Sequence, residues 1–211
     1  MSEKYKNIVQ HYEQCYKIHG DNHKGVDWPN EHDAQLRYQI MIDVIKYNIK
    51  YKQSINTLLD FGCGTAHLLE YIRQNNVSSI LYSGLDLSDT FIAASRLKFP
   101  NNEFILGDVL NSNFTMKKFD YIVLNGVFTE KRELTYEEML AYFKTMLSKI
   151  FSYCNKGIAF NVMSKNVDWE RDDLFHLSHD VLTAFLCKNL SRHYIIRNDY
   201  GLYEYTIYLY K

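Results

Sequence analysis

The 211-residue chain has no excess of either charge. It carries 24 Lys and Arg against 25 Asp and Glu, a formal net charge of −1. Proteins that grip a nucleic-acid backbone show a basic excess, and no dense Lys/Arg run makes up for its absence here, so nucleic acid is not an expected partner. Its four cysteines, Cys15, Cys63, Cys154 and Cys187, form no Cys-x-x-Cys pair. That argues against a zinc site or a dithiol redox motif, and no metal is expected. Reduced thiols fit a cytoplasmic protein. The opening stretch MSEKYKNIVQHYEQCYK is polar and lacks the apolar core of a signal peptide. No apolar run approaches the roughly 20 residues that span a bilayer, so no membrane partner is expected. Internal repeats, low-complexity linkers and charge blocks are also missing, which leaves the oligomeric state open.

What is present is alternation. Strand-like runs fall at TLLDF (57–61), ILYSGLDL (80–87), EFILG (103–107), DYIVLN (120–125) and GIAFNVM (157–163). Helix-like runs lie between them, at His67 to Gln74, Asp89 to Lys98 and Tyr136 to Tyr153. Ser88 offers a capping oxygen where the second of these helices begins, and Pro100 stops it. Two further strands, 191–199 and 202–210, meet at a turn at Tyr200-Gly201. Ahead of the alternation stand a helix from Lys4 to Ile18, a long loop from His19 to Asp33, and a second helix whose apolar residues run from Leu36 to Ile49. Long loops in compact domains are often functional. The pattern predicts one α/β domain over 1–211, with N-terminal helices and a lid loop in 1–52 and a cofactor-binding core in 53–211. The core is a doubly wound, Rossmann-like sheet of seven strands with helices on both faces. It is mostly parallel, with an antiparallel strand from the terminal hairpin near its edge.

The segment DFGCGTAH (60–67) sits at the first strand-to-helix turn. A dinucleotide fold wants Gly-x-Gly-x-x-Gly, but His67 stands where the third glycine belongs, and no Gly-Lys-[Ser/Thr] loop exists. Instead Asp60 precedes the glycine pair and Ala66 follows it. Gly62 and Gly64 let the backbone turn tightly against a ligand, with Cys63 between them. The carboxylate of Asp60 favours a cation where a pyrophosphate would be repelled. Three more strand ends follow: Asp86-Leu87, Asp108-Val109 and Asn125-Gly126. Taken in order, these four motifs resemble the class I S-adenosylmethionine-dependent methyltransferases. The resemblance covers roughly 33–211. It implies S-adenosyl-L-methionine as cofactor and S-adenosyl-L-homocysteine as product. It places Asp86 on the ribose hydroxyls, Asp108 and Val109 on the adenine, and Asn125 and Gly126 beside the methionine and the methyl group. Two N-terminal residues join the expected cofactor set. Arg37 has the fork to pair with the methionine carboxylate, and Trp28 can close over the pocket as part of a lid. Each also has a plain structural reading, as a surface ion pair and as a packed aromatic.

The acceptor is less legible. The [Asp/Asn]-Pro-Pro-[Tyr/Phe] motif of base-modifying enzymes is absent, because Gly126-Val127-Phe128 follows Asn125. A hydroxyl acceptor needs a base. Of the loop histidines His19, His23, His32, His176 and His179, His176 is the first candidate for that role. The HGDNHKGVDW lid and the Asn161-Val162-Met163-Ser164 loop are similar to small bacterial methyltransferases of glycan and specialised-metabolite pathways, which suggests a small polar acceptor such as a sugar hydroxyl. Two other readings stand beside it: a catalytically silent cofactor-binding module or partner subunit, and a protein or peptide methyltransferase.

Overall fold

The structure is a computed structural model that describes residues 5–50 and 55–211. Lys4 and the boundary drawn between residues 52 and 53 lie outside the described residues. Helix α1 (Lys6–His19) leads through a short 3-10 helix (His23–Val26) to α2 (Glu31–Lys46). The alternating part follows as β1 (Asn56–Phe61), α3 (His67–Gln74), β2 (Ile80–Asp86), α4 (Asp89–Lys98), β3 (Glu103–Leu106), β4 (Phe119–Leu124), α5 (Tyr136–Ser152) and β5 (Cys154–Ser164). The chain closes with β6 (His176–Leu177), α6 (His179–Asn189), β7 (Tyr194–Arg197) and β8 (Glu204–Tyr210).

The strands form one sheet in the order β3-β2-β1-β4-β5-β8-β7, with β6 pairing to β5 off this path. β1 pairs in parallel with both β2 and β4, and β8 lies antiparallel to β5 and β7. The seven-stranded, mostly parallel sheet is therefore as expected. The antiparallel strand β8 lies one place in from the edge that β7 forms, near the edge as expected. One detail differs. The two-residue β6 adds an eighth strand; it is too short to carry a periodic signal, and only its pairing of Met163 with His176 reveals it.

Neighbouring residues along the central strands point to opposite faces, as the pleat requires. Leu58, Tyr121 and Ala159 face a core shared with α2, α3 and α4. Leu59, Ile122 and Phe160 face the other core, filled by α5 and α6. Helix ends follow their capping chemistry. Ser88 Oγ accepts from Phe91 N–H at 3.2 Å to start α4, and Thr135 with Glu138 makes a reciprocal capping box at the start of α5. The chain leaves β1 toward β2 on one side and returns through β4 on the other. Their carboxyl ends thus open a crevice at the point of reversal, where ligands of such sheets sit.

Candidate active site

The floor of this crevice is held by backbone. After β1, Gly62 N–H and Cys63 N–H donate to Leu85 O at 2.8 and 3.0 Å, fastening the turn to β2. Gly62 has φ +74°, and a Cβ there would lie 2.7 Å from Val127 Cγ2, so both the conformation and the space demand glycine. Gly64 N–H donates to Asp86 Oδ2 at 2.9 Å, and Ser88 N–H donates to its Oδ1 at 2.9 Å. Asp86 is fixed at the end of β2 by these two amides. Its carboxyl is nevertheless raised above the usual range, chiefly by burial. Asp60 is 3% exposed and accepts from Tyr82 Oη–H at 2.8 Å. Burial pushes its carboxyl up to about 7; the Tyr82 hydrogen bond opposes the rise and the charge of Asp86 adds to it.

At the end of β3, Asp108 Oδ1 accepts from Leu110 N–H at 2.9 Å. Past β4, Gly126 N–H donates to Asn161 Oδ1 at 2.8 Å, and Asn161 Nδ2–H donates to Glu204 Oε1 at 2.9 Å. The Oδ1 of Asn125 is buried with no hydrogen-bond partner. Unpaired buried acceptors are uncommon, and one on a pocket wall marks a place for a donor.

The roof is α1 with the segment behind it, held by side chains. Tyr5 Oη–H donates to Asp108 Oδ2 at 2.6 Å, and Ser88 Oγ–H donates to Glu13 Oε1 at 2.5 Å. Asp21 accepts from Thr65 Oγ1 at 2.6 Å and pairs with His67 Nε2 and Lys98 Nζ, each at 2.7 Å. Burial alone would raise Asp21, but these hydrogen bonds outweigh it and hold the carboxyl well below the usual range. Asp27 pairs with Arg132 at 2.9 Å. Trp28 packs against Gly126 on one side and Tyr38 on the other. One pocket lies between floor and roof. Trp28, Asp60, Gly62, Cys63, Gly64, Asp86, Leu87, Asp108, Val109, Asn125 and Gly126 all line it. Eleven of the twelve residues expected around a cofactor are thus brought together, although they come from five separate chain segments.

Comparison with known proteins agrees with this geometry. A family model described as a methyltransferase domain matches residues 58–149. A Mycobacterium tuberculosis protein (strain ATCC 25618 / H37Rv), named provisionally as a methyltransferase, is 28% identical over 153 residues, covering 70% of this chain and 89% of that one. The matched domain model and this relative support a class I S-adenosylmethionine-dependent methyltransferase. Solved structures share the fold at low identity. The magnesium protoporphyrin IX methyltransferase of Synechocystis PCC 6803, solved with S-adenosylhomocysteine, matches with TM-score 0.64 and 14% identity over 98% of this chain and 99% of its own. A plantazolicin methyltransferase, solved with a triazolic substrate analogue and S-adenosylhomocysteine, matches with TM-score 0.65 and 16% identity over 100% and 99%.

Two expected residues of this methyltransferase lie elsewhere. His176 does not line the pocket. It is 5% exposed, its Nδ1 sits 2.6 Å from Ser164 O, and its Nε2 accepts from Arg171 N–H at 3.2 Å. Both nitrogens are spent on backbone, in the pattern of the tautomer protonated on Nδ1, so His176 ties β6 to β5 and has no free lone pair for an acceptor. Arg37 is also off the pocket lining. Its Nε–H donates to the buried Glu204 at 2.9 Å, and its guanidinium lies 5.1 Å from the Trp28 ring centre. A carboxylate partner suits its fork as foreseen, but the partner belongs to the chain.

Sequence reasoning passed over the α1 residues Tyr5, Ile8, Val9 and Tyr12 that line the pocket of the methyltransferase. It also passed over Glu13 and Asp21, which tie the roof down, and Glu130, which is 6% exposed beside Tyr12. Among the described residues no helix is long and apolar enough to cross a membrane.

Proposed function

We propose that this methyltransferase moves the methyl group of S-adenosyl-L-methionine to a small molecule enclosed between the strand ends and α1, with residues 1–211 acting as one domain. When bound, the cofactor supplies an electrophilic methyl carbon on a cationic sulfur. In this reading Asp60 takes the methionine ammonium. A buried carboxylate whose proton is held up to about 7 lacks a cation, and the ammonium provides one. Gly62, Cys63 and Gly64 bring bare backbone against the ligand. Asp86, fixed by backbone amides at the end of β2, takes the ribose hydroxyls with Leu87 beside it. Asp108 and Val109 border the adenine, and Asn125 and Gly126 the methionine. Trp28 closes the pocket over Gly126. Arg37 acts from behind, holding Glu204 and through it Asn161 and the Gly126 amide.

The observation that carries this reading is the convergence of four strand-end motifs on one pocket beneath a roof tied down at Tyr5, Glu13, Asp21 and Asp27. Methyl transfer is an in-line displacement, so the chain's part is to orient the acceptor and exclude water. A fastened roof supports a small acceptor over a protein or peptide, which needs an open cleft. Walls that include Ile8, Val9, Tyr12, Val127 and Trp28 are apolar, and they suit a flat apolar acceptor better than a bare sugar.

Calorimetry with S-adenosylhomocysteine tests the cofactor assignment. Asp86→Ala is expected to weaken binding on the order of 30-fold, the worth of hydrogen bonds to a charged group. Wild-type protein that fails to bind, or binding untouched in both Asp86→Ala and Asp60→Ala, would sink it. Release of S-adenosylhomocysteine with any acceptor separates the enzyme from a silent cofactor-binding module.

A further inference from the structure

One buried acid at this pocket has no part in holding the cofactor. Glu130 lies on the loop after β4, five residues beyond Asn125. The loop is pinned by a bridge between Glu130 and Leu174 and by the hydrogen bond from Phe175 N–H to Thr129 O at 2.8 Å. Its side chain is 8% exposed and meets Arg132 Nε at 2.5 Å, while His11 Nε2 stands 4.0 Å away. Arg132 also contacts His11 directly and pairs with Asp27 at the roof. Tyr12 comes down from α1 to line the pocket, with Glu130 and Thr129 beside it. Thr129 donates its own proton to Gly126 O at 2.9 Å. An aromatic hydroxyl thus stands between an apolar pocket and a buried carboxylate.

Resting on the methyltransferase reading above, we propose that Tyr12 and Glu130 form a proton relay for O-methylation, and that the acceptor is a phenol-like hydroxyl on a flat apolar ring. Tyr12 touches the acceptor, and Glu130 acts through Tyr12. The acceptor O–H proton passes to Tyr12 Oη as the proton of Tyr12 passes to Glu130. The acceptor oxygen bonds to the methyl carbon while the carbon–sulfur bond breaks and its electron pair stays on sulfur. Glu130 ends as the neutral acid and loses its proton to solvent past His11, whose side chain is 27% exposed. An amine acceptor that arrives neutral has no need of such a relay. Glu130 is suited to take the proton: burial raises its carboxyl above the usual range in spite of Arg132 and His11. The flat ring is argued from the apolar part of the pocket lining, where Tyr12, Val127, Val26 and Trp28 offer surface for stacking and packing.

The test uses the full chain, S-adenosylmethionine and a series of phenols, from one as weakly acidic as tyrosine, with pKa near 10, to the more acidic 4-nitrophenol. Release of S-adenosylhomocysteine gives the rate, and mass spectrometry of the product locates the methyl on oxygen. Wild type is expected to methylate phenols. Glu130→Gln and Tyr12→Phe should each lose about 100-fold on the least acidic phenol, the usual worth of a general base, and under about 5-fold on 4-nitrophenol, which arrives largely ionised. Binding of S-adenosylhomocysteine by Glu130→Gln should stay within about 2-fold of wild type, which shows the variant folded. An equal loss along the series would overturn the relay, because it would mean that the two residues only shape the pocket. No phenol turnover with cofactor binding intact would overturn the acceptor class and leave the methyltransferase reading standing. Wild type that binds no S-adenosylhomocysteine would remove that reading and the relay with it.

Discussion

The floor and the roof of the pocket are built by different physics. The floor is backbone: Gly62, Cys63 and Gly64 are tied by amides to Leu85 O and Asp86, in a register set by the parallel pairing of β1 with β2. The roof is side chain on side chain: Tyr5 to Asp108, Glu13 to Ser88, Asp21 to His67 and Lys98. Sheet hydrogen bonds resist local opening, while a few partly exposed polar ties do not, so the roof is the part of this site expected to open first. A cofactor that must pass beneath α1 therefore has an entry route that leaves the sheet intact.

The largest expected effect attacks the support behind the floor. Arg37→Ala leaves Glu204 buried without its cation, although Asn161 still donates to it. Loss of one partner of a buried pair costs about 3 kcal/mol, so chemical denaturation should show a large drop in stability. If Arg37 instead held the cofactor's carboxylate, stability would stay level and only affinity would fall.

A second experiment separates the charge of the floor from its shape. Asp60 is raised to about 7 in the ligand-free chain, so below that pH it binds a proton that an incoming ammonium must expel. Affinity for S-adenosylhomocysteine should therefore rise with pH to about 7 and then level off, by roughly tenfold per pH unit on the steep side. Calorimetry in buffers of different ionisation enthalpy should show a proton released near pH 6. The same raised carboxyl makes Asp60 a destabilising group in the empty protein as pH rises from about 4 through 7, because the folded state gives up its proton later than the unfolded chain. Asp60→Asn should flatten both profiles.

The smallest effect belongs to the roof. Asp21 is held below the usual carboxylate range, so its contribution is fully present above the unfolded-state pKa of about 4 and fades as pH falls through the lower folded value. Its side chain is 36% exposed, and water screens the pairs, so Asp21→Asn should cost only about 0.5 kcal/mol at pH 7. Hydrogen exchange is the sharper measurement: faster exchange in α1 with β1 and β2 unchanged would bear out the contrast between roof and floor. Equal acceleration of both would abolish it.

This contrast also explains what was legible in the sequence. The floor could be read because each of its parts is local. An acid two residues before a glycine, a second glycine two further on and a small residue before a helix all announce themselves within DFGCGTAH, and Ser88 announces the start of α4 in the same way. The roof could not be read because its ties span 103 residues from Tyr5 to Asp108 and 75 from Glu13 to Ser88. Nothing near Glu13 or Tyr12 marks them as facing a pocket. His176 shows the opposite error. A histidine in a loop after the fifth strand looks free in sequence, and only the pairing of β6 with β5 shows both its nitrogens committed. Arg37 was correctly matched to a carboxylate, but only folding brought Glu204, 167 residues away, within reach.

By itself, then, the sequence determined the alternation of strand and helix, the parallel sheet, the antiparallel ending and the class of cofactor. Strand periodicity, helix caps and glycine turns are short-range consequences of backbone geometry, and they act the same wherever the chain later folds. Tertiary structure decided which side chains would cover the pocket, which acid would be buried beside Tyr12, and which histidine would lose its lone pairs to backbone. Those outcomes depend on which distant groups desolvate one another, and no local pattern records that.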